Sequence, residues 1–178
     1  MLQFTPLQTT DKDYSFVENL LHESFPEAER RDDVAQRDNV DNCAAFTCYL
    51  ISDNGLQVGL VTLWKLDGFS YVEHLATSPS VRNKGYGRKI MELLQQQFPG
   101  VIILEVEKPL DEWSRRRIGF YQRCGFSLCE KEYVQPSYRK GGETLPLYLM
   151  YAGTDSIEDE FESIRDEIYR KVYGVESL

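Results

Sequence analysis

Apolar and polar positions change their period several times along this chain. Leu2 to Leu7 reads as a short strand. Thr10 and Asp11 then offer N-caps for a helix in which Phe16, Val17, Leu20 and Leu21 recur at helical spacing. A second, highly charged helical stretch is expected roughly from Glu27 to Asp38. Ala45 to Ile51 and Leu56 to Trp64 are strand-like and joined by Asp53-Asn54-Gly55, and Asn-Gly is the strongest short hairpin signal. A third strand, Phe69 to Thr77, follows the turn at Asp67-Gly68. After a polar loop, a helix is expected from about Tyr86 to Phe98, with Tyr86, Ile90, Leu93, Leu94 and Phe98 on one face. Val101-Ile102-Ile103-Leu104 is an apolar run of the kind a buried strand has. A further helix lies within Asp111 to Cys124, stopped by Gly125, and two last strands fit Phe126 to Val134 and Leu145 to Tyr151.

This order of elements predicts a mixed sheet with helices on its faces, an α/β or α+β architecture. Past the last strand, Ile157, Phe161, Ile164, Ile168 and Val172 form one helical stripe ending at Gly174. Such a stripe must be covered, either by the protein's own sheet or by a second subunit in a homodimer. The 178 residues fit one continuous domain, 1–151, with 152–178 as an appended amphipathic helix. A composition of 42% apolar and 12% aromatic residues is that of a globular protein.

The net charge of −9 makes a general basic field for nucleic acid a poor expectation, although a local positive patch is compatible with it. No stretch approaches the ~20 apolar residues of a membrane span, and Met1 to Asp13 does not read as an export signal. The four cysteines follow no metal-binding spacing, so no metal is expected and free thiols are, with the cytoplasm as the expected compartment.

The chemistry concentrates in Leu75-Ala76-Thr77-Ser78-Pro79-Ser80-Val81-Arg82-Asn83-Lys84-Gly85-Tyr86-Gly87-Arg88-Lys89. A strand ends in a loop with two glycines, and a helix begins at once. That arrangement aims backbone N–H groups and the positive end of a helix dipole at one spot. Glycine lets a ligand approach the main chain, and Arg82, Lys84, Arg88 and Lys89 add positive charge. A diphosphate fits this description; so does an ordinary strand-to-helix turn with solvated lysines.

Arg82-x-x-Gly85-x-Gly87, placed after a strand and opening a helix, resembles the acyl-CoA signature of GNAT acyltransferases. Downstream, Arg117-Ile118-Gly119-Phe120-Tyr121-Gln122-Arg123-Cys124-Gly125-Phe126 is similar to the family segment in which a Tyr precedes a Gly-Phe ending. The resemblance covers roughly Leu2 to Tyr151. It implies a mostly antiparallel sheet splayed into a V between the strands at Phe69–Thr77 and Val101–Val106, with acetyl-CoA in that V as cosubstrate. By position, the amides of Arg82, Asn83, Lys84, Gly85, Tyr86 and Gly87 would hold the pyrophosphate. Main-chain groups of Leu75, Ala76 and Thr77 would run beside the pantetheine arm. Glu107-Lys108-Pro109 stands where family members often carry an Asn toward pantetheine.

The implied reaction is direct attack of a primary amine on the thioester, which needs a deprotonated nitrogen and a proton for the leaving thiolate. Tyr121 matches the family position whose hydroxyl protonates the departing sulfur; it is also placed to be a core aromatic beside Phe120 and Phe126. Glu73 shares a strand face with Tyr71, Leu75 and Thr77, while His74 points the other way. Glu73 is the candidate base, directly or through water, or else it orients a cationic acceptor; His74 is the weaker substitute. The acceptor is expected to be a small amine or a peptide, facing the acidic segment Phe25 to Asp33, with Tyr133 to Tyr138 as a source of aromatic walls. A non-catalytic CoA-binding module of the same fold is the alternative, and a nucleotide-phosphate protein a remoter one, because the loop lacks a Gly-Lys-Ser/Thr ending.

Overall fold

The computed structural model describes residues 1–178. The chain forms two compact units, Met1–Lys65 with Val72–Gln97, and Leu66–Tyr71 with Phe98–Leu178. In chain order the elements begin with β1 (Leu2–Pro6), α1 (Tyr14–Ser24), a 3-10 turn (Glu27–Glu29) and α2 (Asp33–Asn42). There follow β2 (Phe46–Asp53), β3 (Leu56–Leu66), β4 (Phe69–Thr77), a 3-10 turn (Pro79–Val81) and α3 (Tyr86–Gln97). The second half holds β5 (Ile102–Glu107), α4 (Glu112–Arg123), β6 (Ser127–Gln135), β7 (Leu145–Ala152) and α5 (Phe161–Ile168). The seven strands take the order β1-β2-β3-β4-β5-β7-β6 in an open sheet. The pairs β1–β2, β2–β3, β5–β7 and β6–β7 are antiparallel. This is the expected mixed α/β fold.

Local chemistry explains most boundaries. Asn54 and Gly55 turn the β2–β3 hairpin with φ of 49° and 85°, the paired positive values that a tight primed turn requires. In α4, Asp111 accepts from the Ser114 N–H at 2.7 Å while Ser114 Oγ takes the Asp111 N–H at 3.2 Å, closing a capping box. In the first unit α2 packs on β2 and α3 against β1; in the second α4 lies against β5 and β6. Ile90, Met91 and Leu94 of α3, and Ile103, Leu149 and Met150 of the second unit, are sealed from solvent. No helix is long and apolar enough to cross a membrane.

Two helical expectations change. The first helix starts at Tyr14, because Asp11 is used earlier: its carboxylate accepts from the Gln8 N–H at 2.7 Å and its carbonyl from the Tyr14 N–H at 3.0 Å. The charged stretch from Glu27 is not one helix. A 3-10 turn ends at Glu29, Arg30 is extended, and α2 begins only at Asp33, where Asp32 caps it by accepting from the Ala35 N–H at 2.8 Å. Arg31 sits in the break, and its side chain turns inward.

The C-terminal stripe is covered by its own chain. Ile157, Phe161, Ile164, Ile168 and Val172 are all buried, and α5 runs on through a π-helical turn, Tyr169–Tyr173, to a left-handed Gly174. The Lys131 ammonium lies 5.6 Å from the centre of the Phe161 ring, and the Tyr169 hydroxyl donates to the Val134 carbonyl at 2.5 Å. Phe161→Ala is expected to lower unfolding free energy by about 3–5 kcal/mol, read from urea denaturation, since it removes a buried ring from a packed site. A loss under about 1 kcal/mol would contradict this packing.

Candidate active site

The turn between β4 and α3 has the geometry of an anion cradle. Arg82, Asn83, Lys84 and Gly85 are exposed, and Asn83 and Gly85 have left-handed φ of 64° and 79°. Alternating positive and negative φ curls successive N–H groups toward one side. The Lys84 N–H reaches the Val81 carbonyl at 3.4 Å, whereas the N–H groups of Asn83 and Gly85 meet no main-chain acceptor. A Cβ built on Gly85 would meet nothing within 4 Å, so the space beside it is open. Tyr86 and Gly87 open α3, whose first N–H groups have no partner within the helix. The Tyr86 hydroxyl is tied to Asp53 at 3.0 Å, and the Lys89 ammonium lies over the Tyr86 ring at 5.6 Å. Arg82, Lys84, Arg88 and Lys89 make this spot locally basic.

The strand leading into the turn is held by a glycine that the sequence reading did not single out. A Cβ on Gly59 of β3 would come within 2.3 Å of the Ala76 carbonyl oxygen, and the Ser78 N–H donates to the Val58 carbonyl at 2.7 Å. Gly59 thereby lets the end of β4 approach β3 closely, and a glycine inside an apolar strand is the available sign of that. Leu75 and Thr77 are half-buried and Ala76 buried.

Glu73 is the centre of a buried polar cluster. Its side chain has no exposure, and it forms a two-pronged ion pair with Arg31, Nη1 to Oε2 at 3.1 Å and Nη2 to Oε1. Trp64 Nε1 donates to Oε2 at 3.0 Å. Arg31 Nη1 also reaches Gln36 Oε1 at 2.8 Å, and the guanidinium lies 5.8 Å and 5.9 Å from the ring centres of Phe46 and Trp64. Burial alone pushes the Glu73 carboxyl up, but Arg31, helped by His74 and by the Arg31 and Trp64 hydrogen bonds, outweighs it and holds the group below its ordinary value. Burial is also the main reason that the His74 imidazole is pulled below its usual range, against the opposing charge of Glu73. His74 Nε2–H donates to the Glu29 carbonyl at 2.8 Å, and its ring meets Phe25 edge-on at 4.6 Å. Arg31 and Trp64 were not legible as site residues. An arginine in a charged run looks like part of a solvated face.

Tyr121, on α4 in the second unit, is half-buried between Phe120 and Phe126, with ring centres at 5.4 Å and 6.0 Å. Burial raises its hydroxyl pKa, and the Arg117 charge opposes this weakly, so the phenol stays protonated at neutral pH. In the segment that departs from the family pattern, Lys108 is committed elsewhere: its ammonium bonds Glu132 at 2.8 Å over the Tyr148 ring.

Residues 14–126 match the profile of the acetyltransferase (GNAT) family. The chain belongs to that family. Among solved structures it is 45% identical to a protein of Bacteroides thetaiotaomicron described as a GNAT-family acetyltransferase, with a TM-score of 0.95 over 97% of this chain and 99% of the other. At 20% identity and a TM-score of 0.61, a variant of the spermidine N-acetyltransferase SpeG of Vibrio cholerae shares the fold over 84% of this chain and 92% of its own. A Bacillus subtilis acetyltransferase in complex with CoA does so at 15% identity and a TM-score of 0.58, over 86% and 99%. No curated protein sequence matches. The protein is thus an acetyltransferase of the GNAT family.

Removing one member of the buried pair leaves the other charge stranded. Arg31→Met is expected to destabilise this acetyltransferase by about 3–5 kcal/mol. The double variant Arg31→Met, Glu73→Gln should recover much of that loss. Equal stability of the single and double variants in urea titrations would show that the two charges do not depend on each other.

Proposed function

We propose that the protein transfers the acetyl group of acetyl-CoA to a primary amine by direct attack in a ternary complex. The observation that carries this reading is the Arg82–Gly87 turn. Its left-handed Asn83 and Gly85, its free N–H groups, the start of α3 and four basic side chains fit a pyrophosphate. In this reading the main-chain groups of Leu75, Ala76 and Thr77 align the pantetheine arm. The neutral amine nitrogen attacks the thioester carbon, the tetrahedral oxyanion collapses, and the C–S bond breaks. Tyr121 donates its proton to the departing sulfur, and its protonated state at neutral pH supports that role. The proton shed by the nitrogen passes to solvent, from which the Tyr121 phenolate is reprotonated.

Glu73 is assigned a positioning part. A carboxylate held ionised by a bidentate guanidinium has little tendency to take a proton, so the Arg31 pairing favours orientation of the acceptor side over general-base work. Arg31 ties the segment between α1 and α2 to β4, and that segment, with Glu27 and Glu29, suits a positively charged acceptor.

Two expected outcomes test this function. Gly85→Ala forces a side chain into a left-handed position at a cost of roughly 1–2 kcal/mol. Acetyl-CoA affinity should therefore fall about tenfold in calorimetry, and unchanged affinity would remove the turn from the binding site. Tyr121→Phe should lower turnover about a hundredfold while acetyl-CoA affinity stays the same, measured by thiol release with a panel of amines. Turnover equal to that of the parent would assign Tyr121 to packing.

A further inference from the structure

Glu105, in the apolar strand β5, has no positive side chain as a partner. Its Oε1 accepts from the Tyr133 hydroxyl at 2.5 Å and its Oε2 from Gln135 Nε2 at 2.6 Å. The Tyr173 hydroxyl lies 3.0 Å from both oxygens, and its single proton serves them as one shared donor. The Tyr71 hydroxyl is 3.4 Å from that of Tyr173, extending the chain toward β4. Every one of these partners is neutral, and Glu105 is in none of the ion pairs of the protein. The Tyr138 ring stands 5.0 Å from Tyr173, and Tyr169 is 5.8 Å from Tyr133. The start of β4, β6 and the C-terminal turn, all in the second unit, therefore place tyrosines around the carboxylate of β5.

Glu73 gives the contrast within the same molecule: its side chain is sealed from solvent, and it has Arg31. A carboxylate taken from water is costly unless a positive charge meets it. At Glu105 burial raises the carboxyl pKa, against the four hydrogen bonds that lower it. Glu105, Tyr138 and Tyr173 keep partial exposure, while Tyr71 and Tyr133 are sealed behind them. An alkylammonium satisfies what is missing. Its charge pairs with the carboxylate, its N–H groups bond to hydroxyl oxygens, and its methylenes lie against electron-rich rings.

We propose that Glu105, with Tyr71, Tyr133 and Tyr173, is the recognition site for the cationic nitrogen of the acceptor, Glu105 being the residue that sets preference for charged amines. This rests on the acetyl-transfer reading for its biological use, while the binding itself is separable. Tyr173, far outside residues 14–126 of the family match, then makes the C-terminal turn part of the acceptor site.

The test uses the full-length protein saturated with CoA, titrated calorimetrically with 1,4-diaminobutane, n-butylamine and n-butanol. The two amines should bind and the alcohol should not. Glu105→Gln should weaken amine binding about tenfold or more and leave CoA affinity unchanged. Tyr173→Phe, which removes a donor without touching the charge, should weaken it by a smaller factor and carries the test if Glu105→Gln does not melt cooperatively. Amine affinity unchanged in both variants, equal binding of butanol and butylamine, or no amine binding by the parent would each overturn the site. Thiol release from acetyl-CoA, run with the same amines, separates the two readings: a parent that binds amines through Glu105 but acetylates none contradicts the function and leaves the site standing.

Discussion

Glu73 has no contact with water, and a carboxylate so placed must be met by a positive charge within the protein. Arg31 meets it from the segment between the first two helices, and much of the first unit's arrangement follows from that pair. The helix expected from Glu27 has to break so that Arg31 can turn inward, and Asp32 restarts it by capping α2. Trp64 donates to Glu73 and Gln36 accepts from Arg31, and Phe46 and Trp64 wall the guanidinium. The neighbouring His74 fixes the same segment from the other side by bonding the Glu29 carbonyl. One ion pair thus ties a polar, otherwise loosely specified stretch to the strand that leads into the Arg82–Gly87 turn.

Two carboxylates, one in each unit, have been given opposite environments. Beside Arg31, Glu73 is held ionised; among neutral hydroxyls and an amide, Glu105 has its carboxyl raised by burial. The first is a closed arrangement in which both carboxylate oxygens are met by donors. The second lacks a cation, and the same chemistry that makes it unfavourable in isolation makes it selective for a ligand that carries one.

In the proposed function the Arg82–Gly87 turn solves a different problem, since an acidic chain must then admit a polyanionic ligand. Fields from distant exposed charges are screened within about 10 Å at ordinary ionic strength. The net charge of −9 therefore matters less at this spot than four nearby basic side chains and main-chain N–H groups that need no counter-charge of their own. Gly59 contributes indirectly, by letting β4 sit close enough to β3 to deliver the turn in its place.

The sequence by itself determined whatever depends on neighbours along the chain. Strand and helix order followed from the period of apolar residues, the hairpin at Asn54-Gly55 from its need for positive φ, and the Arg82–Gly87 turn from glycines at a strand-to-helix junction. It also carried the family, because that turn and the Tyr121 segment are local motifs. Tertiary structure decided what depends on partners distant in sequence. Arg31 and Glu73 are 42 positions apart, Glu105 and Tyr173 are 68, and neither pairing has a local pattern to betray it. The C-terminal stripe announced that it would be covered but not by what; burial against its own chain settled that and, with it, brought Tyr173 to Glu105. A charged residue reads the same in a sequence whether it is solvated or buried. Only the closed fold removes the water and so decides which charges must find one another.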